Sequence, residues 1–250
     1  MSGRDLRYGR RVKRLAIVGA SLLTACGGAP PPPAAAPDRH AGHGDHHGHG
    51  ADHAAHDFAD ATHWATVFDD PARDAWQKPD EVVALLAPGP GQIVADVGAG
   101  TGYFEPYLAR AVGGAGKILA LDSEPAMVAH IARRATAELW SNVVAQVVAA
   151  DDPGLPTAGV DRVLIVDTWH HLPDRPRYAA KLAVALRPGG TLAVVDFTPE
   201  APMGPPAAAR LAAATVVAEL AAAGLSARVA VESLPHQYVV LADKPTGSRR

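Results

Sequence analysis

Cysteine is nearly absent from this sequence: Cys26 is the only one in 250 residues. That excludes a disulfide within the chain, and it excludes a CxxC redox pair or a zinc knuckle. Positive charge is not in surplus either. With 23 Lys and Arg against 26 Asp and Glu, and a net charge of −3, the body of the chain has no electrostatic footprint for nucleic acid. Long apolar runs are also missing. The uncharged run Leu15 to Ala25 has eleven residues, whereas about 20 are needed to cross a bilayer. A multi-span membrane protein, a collagen and a long coiled coil are therefore excluded. What the chain has instead is alanine, 52 residues of it, so its 48% apolar content is weighted toward a small side chain. The length suffices for one sizeable core.

The charge is unevenly spread. Arg4, Arg7, Arg10, Arg11, Lys13 and Arg14 stand against Asp5 alone, a net of +5, which leaves −8 for the rest. A basic start, a short apolar core and small residues ahead of a cut site describe a secretory signal. Its end, Leu23-Thr24-Ala25-Cys26, resembles a bacterial lipobox, in which the cysteine is lipidated and becomes the new first residue. Four consecutive prolines, Pro30 to Pro33, follow as an extended spacer.

Next comes a histidine tract with His40, His43, His46, His47, His49, His53, His56 and His63, interleaved with Asp45, Asp52, Asp57 and Asp60. Imidazole and carboxylate together suit zinc, nickel or copper. The intervening glycines argue against a preformed site, so His43, His46, His47 and His49 are read as weak metal ligands on a solvated linker.

From about Trp64 the pattern changes to alternating strands and helices. Expected helices are Pro79 to Leu86, Tyr103 to Val112, one capped by Ser123 with Pro125 near its start, Arg175 to Leu186, and a long alanine-rich helix from Ala207 to Ala223. Expected strands are Gln92 to Val97, Lys117 to Leu121, Asn142 to Val148, Arg162 to Asp167, Thr191 to Phe197, Arg228 to Val231 and Gln237 to Ala242. Pro188-Gly189-Gly190 is expected to break the helix from Arg175 to Leu186 before the fifth of these. The runs Val163 to Val166 and Leu192 to Val195 are apolar without alternation, as in strands covered on both faces. The fold class is α/β: a Rossmann-like, doubly wound, mostly parallel seven-stranded sheet with helices on both faces. Ligands of such sheets bind outside the carboxyl ends of the strands, where strand order reverses.

The first strand leads into Asp96-Val97-Gly98-Ala99-Gly100-Thr101-Gly102. A dinucleotide fingerprint, G-x-G-x-x-G, would need a glycine where Tyr103 stands. A carboxylate at position 96 would repel a pyrophosphate but suits an ammonium or a sulfonium. Asp122, twenty residues after Gly102, can accept from the two hydroxyls of a ribose. The site therefore wants a nucleoside with a cationic tail and no phosphates.

These motifs, continued by Asp151 ahead of Pro156, by Val166-Asp167-Thr168-Trp169-His170-His171-Leu172-Pro173-Asp174 and by Leu186-Arg187-Pro188-Gly189-Gly190, resemble those of class I S-adenosylmethionine-dependent methyltransferases. The likeness is to the small-molecule branch that includes quinone-biosynthesis C-methyltransferases, and it covers about residues 79–242. It implies the following roles. Gly98, Gly100 and Gly102 pass under the methionine part of S-adenosylmethionine and Asp96 faces its ammonium. Asp122 holds the ribose, and Asp151 reaches the adenine amino group, with Asp152 the less well aligned choice. Asp167, Thr168, His170 and His171 line the methyl-transfer face, with one of the two histidines an optional base. Asp161 and Asp174 are read as ordinary turn residues.

The resulting organisation is a lipoprotein signal peptide (1–25), a disordered Pro/His-rich tether (26–57), an N-terminal cap (58–78), a methyltransferase domain (79–243) and a disordered tail (244–250). In the cap, Arg73 is a candidate partner for the cofactor carboxylate. Trp76 is expected either to shield the site or only to pin the segment to the core. The expected partners are a small-molecule methyl acceptor and, through a lipid on Cys26, a bacterial membrane, with the domain facing the periplasm or exterior. No nucleic acid is expected. Two other readings compete: an extracytoplasmic metal-binding lipoprotein whose domain holds a ligand without turnover, and an NAD-dependent oxidoreductase, which the glycine spacing opposes.

Overall fold

The computed structural model describes residue 58 and residues 60–247, all of which fall within one compact unit, residues 52–250. The expected signal peptide and tether, with Cys26 and with His43, His46, His47 and His49, lie outside the described residues. Among the described residues no helix is long and apolar enough to cross a membrane.

Seven strands form one sheet in the order β3-β2-β1-β4-β5-β7-β6. In chain order they are β1 (Ile93–Val97), β2 (Lys117–Asp122), β3 (Val143–Val147), β4 (Val160–Val166), β5 (Leu186–Phe197), β6 (Ser226–Val229) and β7 (Gln237–Asp243). The first five pair in parallel, while β7 runs antiparallel to both β5 and β6. This is the mostly parallel, doubly wound sheet read from the apolar runs. Strand order reverses between β1 and β4, the point at which sheets of this kind hold a ligand crevice beyond the carboxyl ends of the strands.

The helices are α1 (Ala61–Phe68), α2 (Asp74–Gln77), α3 (Pro79–Leu86), α4 (Glu105–Val112), α5 (Pro125–Ala137), α6 (Arg175–Ala185) and α7 (Ala213–Ala222). Two apolar cores flank the sheet. One joins Leu86 of α3 and Leu108 of α4 to Val94 and Ile118; the other joins Leu182 of α6 and Leu220 of α7 to Val163, Leu192 and Val240. Near-complete burial of such side chains is worth about 1.5–3 kcal/mol each.

Most boundaries fall within two residues of expectation, and four local features differ. The long alanine-rich helix is broken: Ala207–Ala209 make one 3-10 turn, residues 210–212 are extended, and only then does α7 begin. Arg210 explains the break, because its guanidinium donates to the carbonyls of Pro199, Ala201, Met203 and Pro205. Four such contacts outweigh the helix preference of alanine. Pro188-Gly189-Gly190 lies inside β5, where the register with β4 jumps from Val160↔Leu186 to Arg162↔Thr191. Residues 187–190 bulge out without ending the strand. α5 is capped by Glu124, whose side chain accepts from Ala126 N, and not by Ser123. Tyr103 and Phe104 are packed in the core ahead of α4, which starts at Glu105.

Candidate active site at the carboxyl ends of β1 and β4

The loop after β1 turns on three glycines with positive φ: 74° at Gly98, 57° at Gly100 and 85° at Gly102. Only glycine adopts such a series without strain. At Gly98 space is limiting as well, since a Cβ there would lie 2.2 Å from Thr168 Oγ1. Thr168 thus packs into the loop, and its hydroxyl donates to Val166 O at 2.9 Å. The loop is fastened to the end of β2: Gly98 N and Ala99 N both donate to Leu121 O.

Asp122 completes this junction. Its Oδ2 accepts from Gly100 N at 2.8 Å and its Oδ1 from Glu124 N at 2.9 Å. Burial raises its pKa against the pull of these N–H groups. Asp96, only 3% exposed at the end of β1, is pushed up to about 7 by burial and then by the charge of Asp122, with Arg73 opposing. Glu105, fully buried at the start of α4, lies beneath Gly102, and neither of its carboxyl oxygens has a hydrogen-bond partner. Burial and the nearby Asp96 raise its pKa well above the usual range. Two buried carboxyls so close in charge cannot both ionise, so the Asp96 and Glu105 pair keeps a proton between them.

A second group gathers one strand away. Asp167 follows β4 with a positive φ of 52°. A single 3-10 turn, Trp169–His171, comes next. Trp169 is fully buried and anchors the turn by donating to Glu219 Oε2 at 2.8 Å. His170 directs Nδ1 at Asp196, 2.9 Å from each carboxyl oxygen, and this His170 side chain is 3% exposed and the Asp196 side chain 0%. The His171 ring lies 4.2 Å from that of His170. Burial pushes Asp167 up to about 7, with Arg73 opposing and Asp196 adding to the rise.

The 58–78 segment crosses both groups. Phe58, Trp64 and Phe68 form an aromatic cluster, with centroids 4.9 Å apart for Phe58 and Trp64 and 5.0 Å for Trp64 and Phe68. Phe68 reaches to 3.7 Å from where a Cβ on Gly100 would stand, and Phe58 meets the His171 ring edge-on at 6.3 Å. Asp69 accepts from Thr101 Oγ1 at 2.9 Å and pairs with Arg134 at 3.2 Å, and Arg134 also donates to the carbonyls of Thr101 and Gly102. Tyr103 donates to Asp74. Arg73 lies 4.1 Å from the Tyr103 ring centroid and donates to Phe68 O and Gln77 Oε1, with Asp167 Oδ2 at 3.7 Å. Trp76 packs on Phe197 at 5.8 Å.

The expected site residues Asp96, Gly98, Gly100, Gly102, Asp122, Asp167, Thr168, His170 and His171 thus gather around one crevice. Asp151 and Asp152 follow β3 in the chain. Asp152 is held by Lys181 at 2.9 Å and by Gly154 N, and Lys181 lowers its pKa, while Asp151 is exposed. Asp161 accepts from Ile93 N and pairs with Arg187, and Asp174 caps α6, as turn residues do. Sequence reasoning missed Glu105, Asp196, Gln77 and Gln237. Asp196 left a signal: a carboxylate closing the apolar run Leu192 to Val195 is an anomaly in a strand buried on both faces. Among the described residues no group of three or more His, Cys, Asp or Glu is arranged to hold a metal.

Comparison with known proteins agrees with this fold. Residues 94–190 match the model of a methyltransferase domain. A solved S-adenosylmethionine-dependent methyltransferase from Aquifex aeolicus is 28% identical and superposes with a TM-score of 0.68, covering 74% of this chain and 98% of that one. The protein-L-isoaspartate O-methyltransferase of Aeropyrum pernix is 30% identical over 119 residues, 48% of this chain and 44% of its own. The 27-O-demethylrifamycin SV methyltransferase of Amycolatopsis mediterranei is 30% identical over 119 residues, 47% of this chain and 43% of its own. The chain spans about half the length of these curated relatives. The described residues have the Rossmann-like methyltransferase fold, and the matches support a class I, S-adenosylmethionine-dependent methyltransferase.

Proposed function

We propose that this chain transfers a methyl group from S-adenosylmethionine to a small-molecule acceptor. The observation that carries the reading is the junction of Asp122 with the glycine loop, a carboxylate tied to Gly100 N beside three glycines at positive φ. This donor set fits the cofactor. Gly98, Gly100 and Gly102 leave room for the methionine part, Asp122 retains lone pairs for ribose hydroxyls, and Asp96 suits the ammonium. Asp151, with Asp152 second, suits the adenine amino group. A pyrophosphate is served poorly, because Arg134 and Arg73 are engaged with Asp69 and Asp167.

When bound, the cofactor supplies a methyl carbon already activated by a sulfonium. The residues of this chain then position the partners, an effect worth up to roughly 7–11 kcal/mol. His170 is the base for an acceptor that loses a proton. Nδ1 faces Asp196, so Nε2 is the nitrogen that takes it, and the resulting imidazolium is neutralised by a buried carboxylate. Such a base contributes typically 10²–10⁴-fold. Asp167, Thr168 and His171 complete that face.

Calorimetric titration of the full chain with S-adenosylmethionine and with its demethylated product tests the reading. Binding of both supports it, and binding of neither overturns it. In the same reading the domain is carried outside the cytoplasmic membrane by a lipid on Cys26, supported by the sequence Leu23-Thr24-Ala25-Cys26 after a basic, apolar leader. Incorporation of labelled palmitate in a bacterial host, lost in Cys26→Ser, tests the anchor.

A further inference from the structure

Gln77 and Gln237, 0% and 1% exposed, are the two buried side-chain amides among the described residues, and they join in series. Arg73 Nε and Nη2 donate to Gln77 Oε1 at 3.2 and 2.9 Å. Gln77 Nε2 donates to Gln237 Oε1 at 2.6 Å, and Gln237 Nε2 donates to Asp167 Oδ1 at 2.6 Å. Arg73 closes the ring by lying 3.7 Å from Asp167 Oδ2.

The direction of this relay is forced. A guanidinium only donates, so Gln77 must turn its oxygen toward Arg73 and its NH₂ toward Gln237. Gln237 must then accept from Gln77 and donate to Asp167. Buried amides have no water with which to reverse this order. We propose that Gln77 and Gln237 are positioning residues that carry the donor polarity of Arg73 to Asp167, holding Oδ1 as an acceptor and leaving Oδ2 to meet a donor on a bound ligand. Docking of the 71–77 segment thereby sets the state of a residue on the other side of the crevice. The role of Asp167 in methyl transfer rests on the function proposed above; the relay does not.

The test reads Asp167 directly in the full-length protein labelled with ¹³C at aspartate carboxyls, its resonance identified by its loss in Asp167→Asn. In Gln77→Glu, Arg73 keeps an acceptor at position 77, but Gln237 must flip to donate to Glu at that position and so aims its oxygen at Asp167. The Asp167 titration should move up by about one pH unit or more. Gln237→Met, of similar length and uncharged, removes the donor and should also move it up. With Met at position 237, adding Gln77→Glu should move it little further. Arg73, His170, Asp196 and Tyr238, the charged and titratable groups facing Asp167 from the cap, the 3-10 turn, β5 and β7, are unchanged in every variant. Coincident titrations in the wild type and Gln77→Glu overturn the proposal. So does an undiminished effect of Gln77→Glu with Met at 237, which would mark the field of the new charge. Should Gln77→Glu not fold, an unshifted Gln237→Met overturns it alone. A protein that binds neither S-adenosylmethionine nor its product yet shows these shifts would refute the methyltransferase reading and keep the relay.

Discussion

Replacing Asp122 with alanine should weaken cofactor binding by about 10- to 150-fold. The magnitude follows from the loss of one charged hydrogen-bond acceptor, about 1.5–3 kcal/mol, at about 1.4 kcal/mol per factor of ten. The same carboxylate also holds two backbone N–H groups, those of Gly100 and Glu124. Alanine leaves both without this partner, at roughly 1–3 kcal/mol for each that water cannot reach. Binding must therefore be measured by calorimetry well below the melting temperature of the variant, determined separately. Two features separate a ribose contact from general damage. The ribose is common to S-adenosylmethionine and its demethylated product, so the two affinities should fall together and their ratio should hold. Burial raises the pKa of Asp122, so wild-type affinity should decline as pH falls through its raised value, and Asp122→Asn should flatten that decline. Unchanged affinity in folded Asp122→Ala would refute the cofactor assignment, and a loss confined to the methylated form would refute the ribose contact.

Three further outcomes are expected. Glu105 and Asp96 bind protons more tightly when folded than when unfolded, so they favour the fold at low pH and cost stability as pH rises through the Asp96 value of about 7. Glu105→Gln should therefore make the fall in urea midpoint between about pH 5 and 8 shallower, and parallel curves would argue against a shared proton. Gly98→Ala forces a Cβ against Thr168 at a φ of 74° and should cost about 1–3 kcal/mol in thermal denaturation; an unchanged melting temperature would deny the close packing. Asp196→Ala leaves His170 Nδ1 and Phe197 N without their partner. Urea unfolding should show a loss of roughly 1–3 kcal/mol for each group, and a change under about 1 kcal/mol in total would mean that the pair is not fastened in solution.

The parts of this fold that were legible in the sequence are those set by local pattern. Val163 to Val166 and Leu192 to Val195 read as buried strands because both faces of β4 and β5 are covered, and Gly98, Gly100 and Gly102 read as a loop because each takes a positive φ. The alanine-rich stretch misled for the opposite reason. Residues 207–223 favour helix at almost every position, yet Arg210 reaches back to four carbonyls and holds its own backbone extended. Propensity describes the cost of a conformation and not the contacts that override it.

The polar contacts of the crevice were hidden because their partners are far apart in the chain. Gln77 and Gln237 are 160 residues apart, Asp167 and Gln237 are 70 apart, and His170 and Asp196 are 26 apart. Glutamine has no periodic position that marks it as buried, and only the folded sheet brings Gln237 of β7 within reach of Asp167, across β5 from it. Arg73 could be singled out, but as a partner for the cofactor carboxylate. In the folded chain its Nε and part of its Nη donors are occupied by Gln77 and Phe68, and its charge faces Asp167. The cap therefore touches the chemistry through a carboxylate of the protein itself. A substitution at position 73 should accordingly disturb Asp167 even when no ligand is bound, a consequence that an arginine reserved for the cofactor would not have.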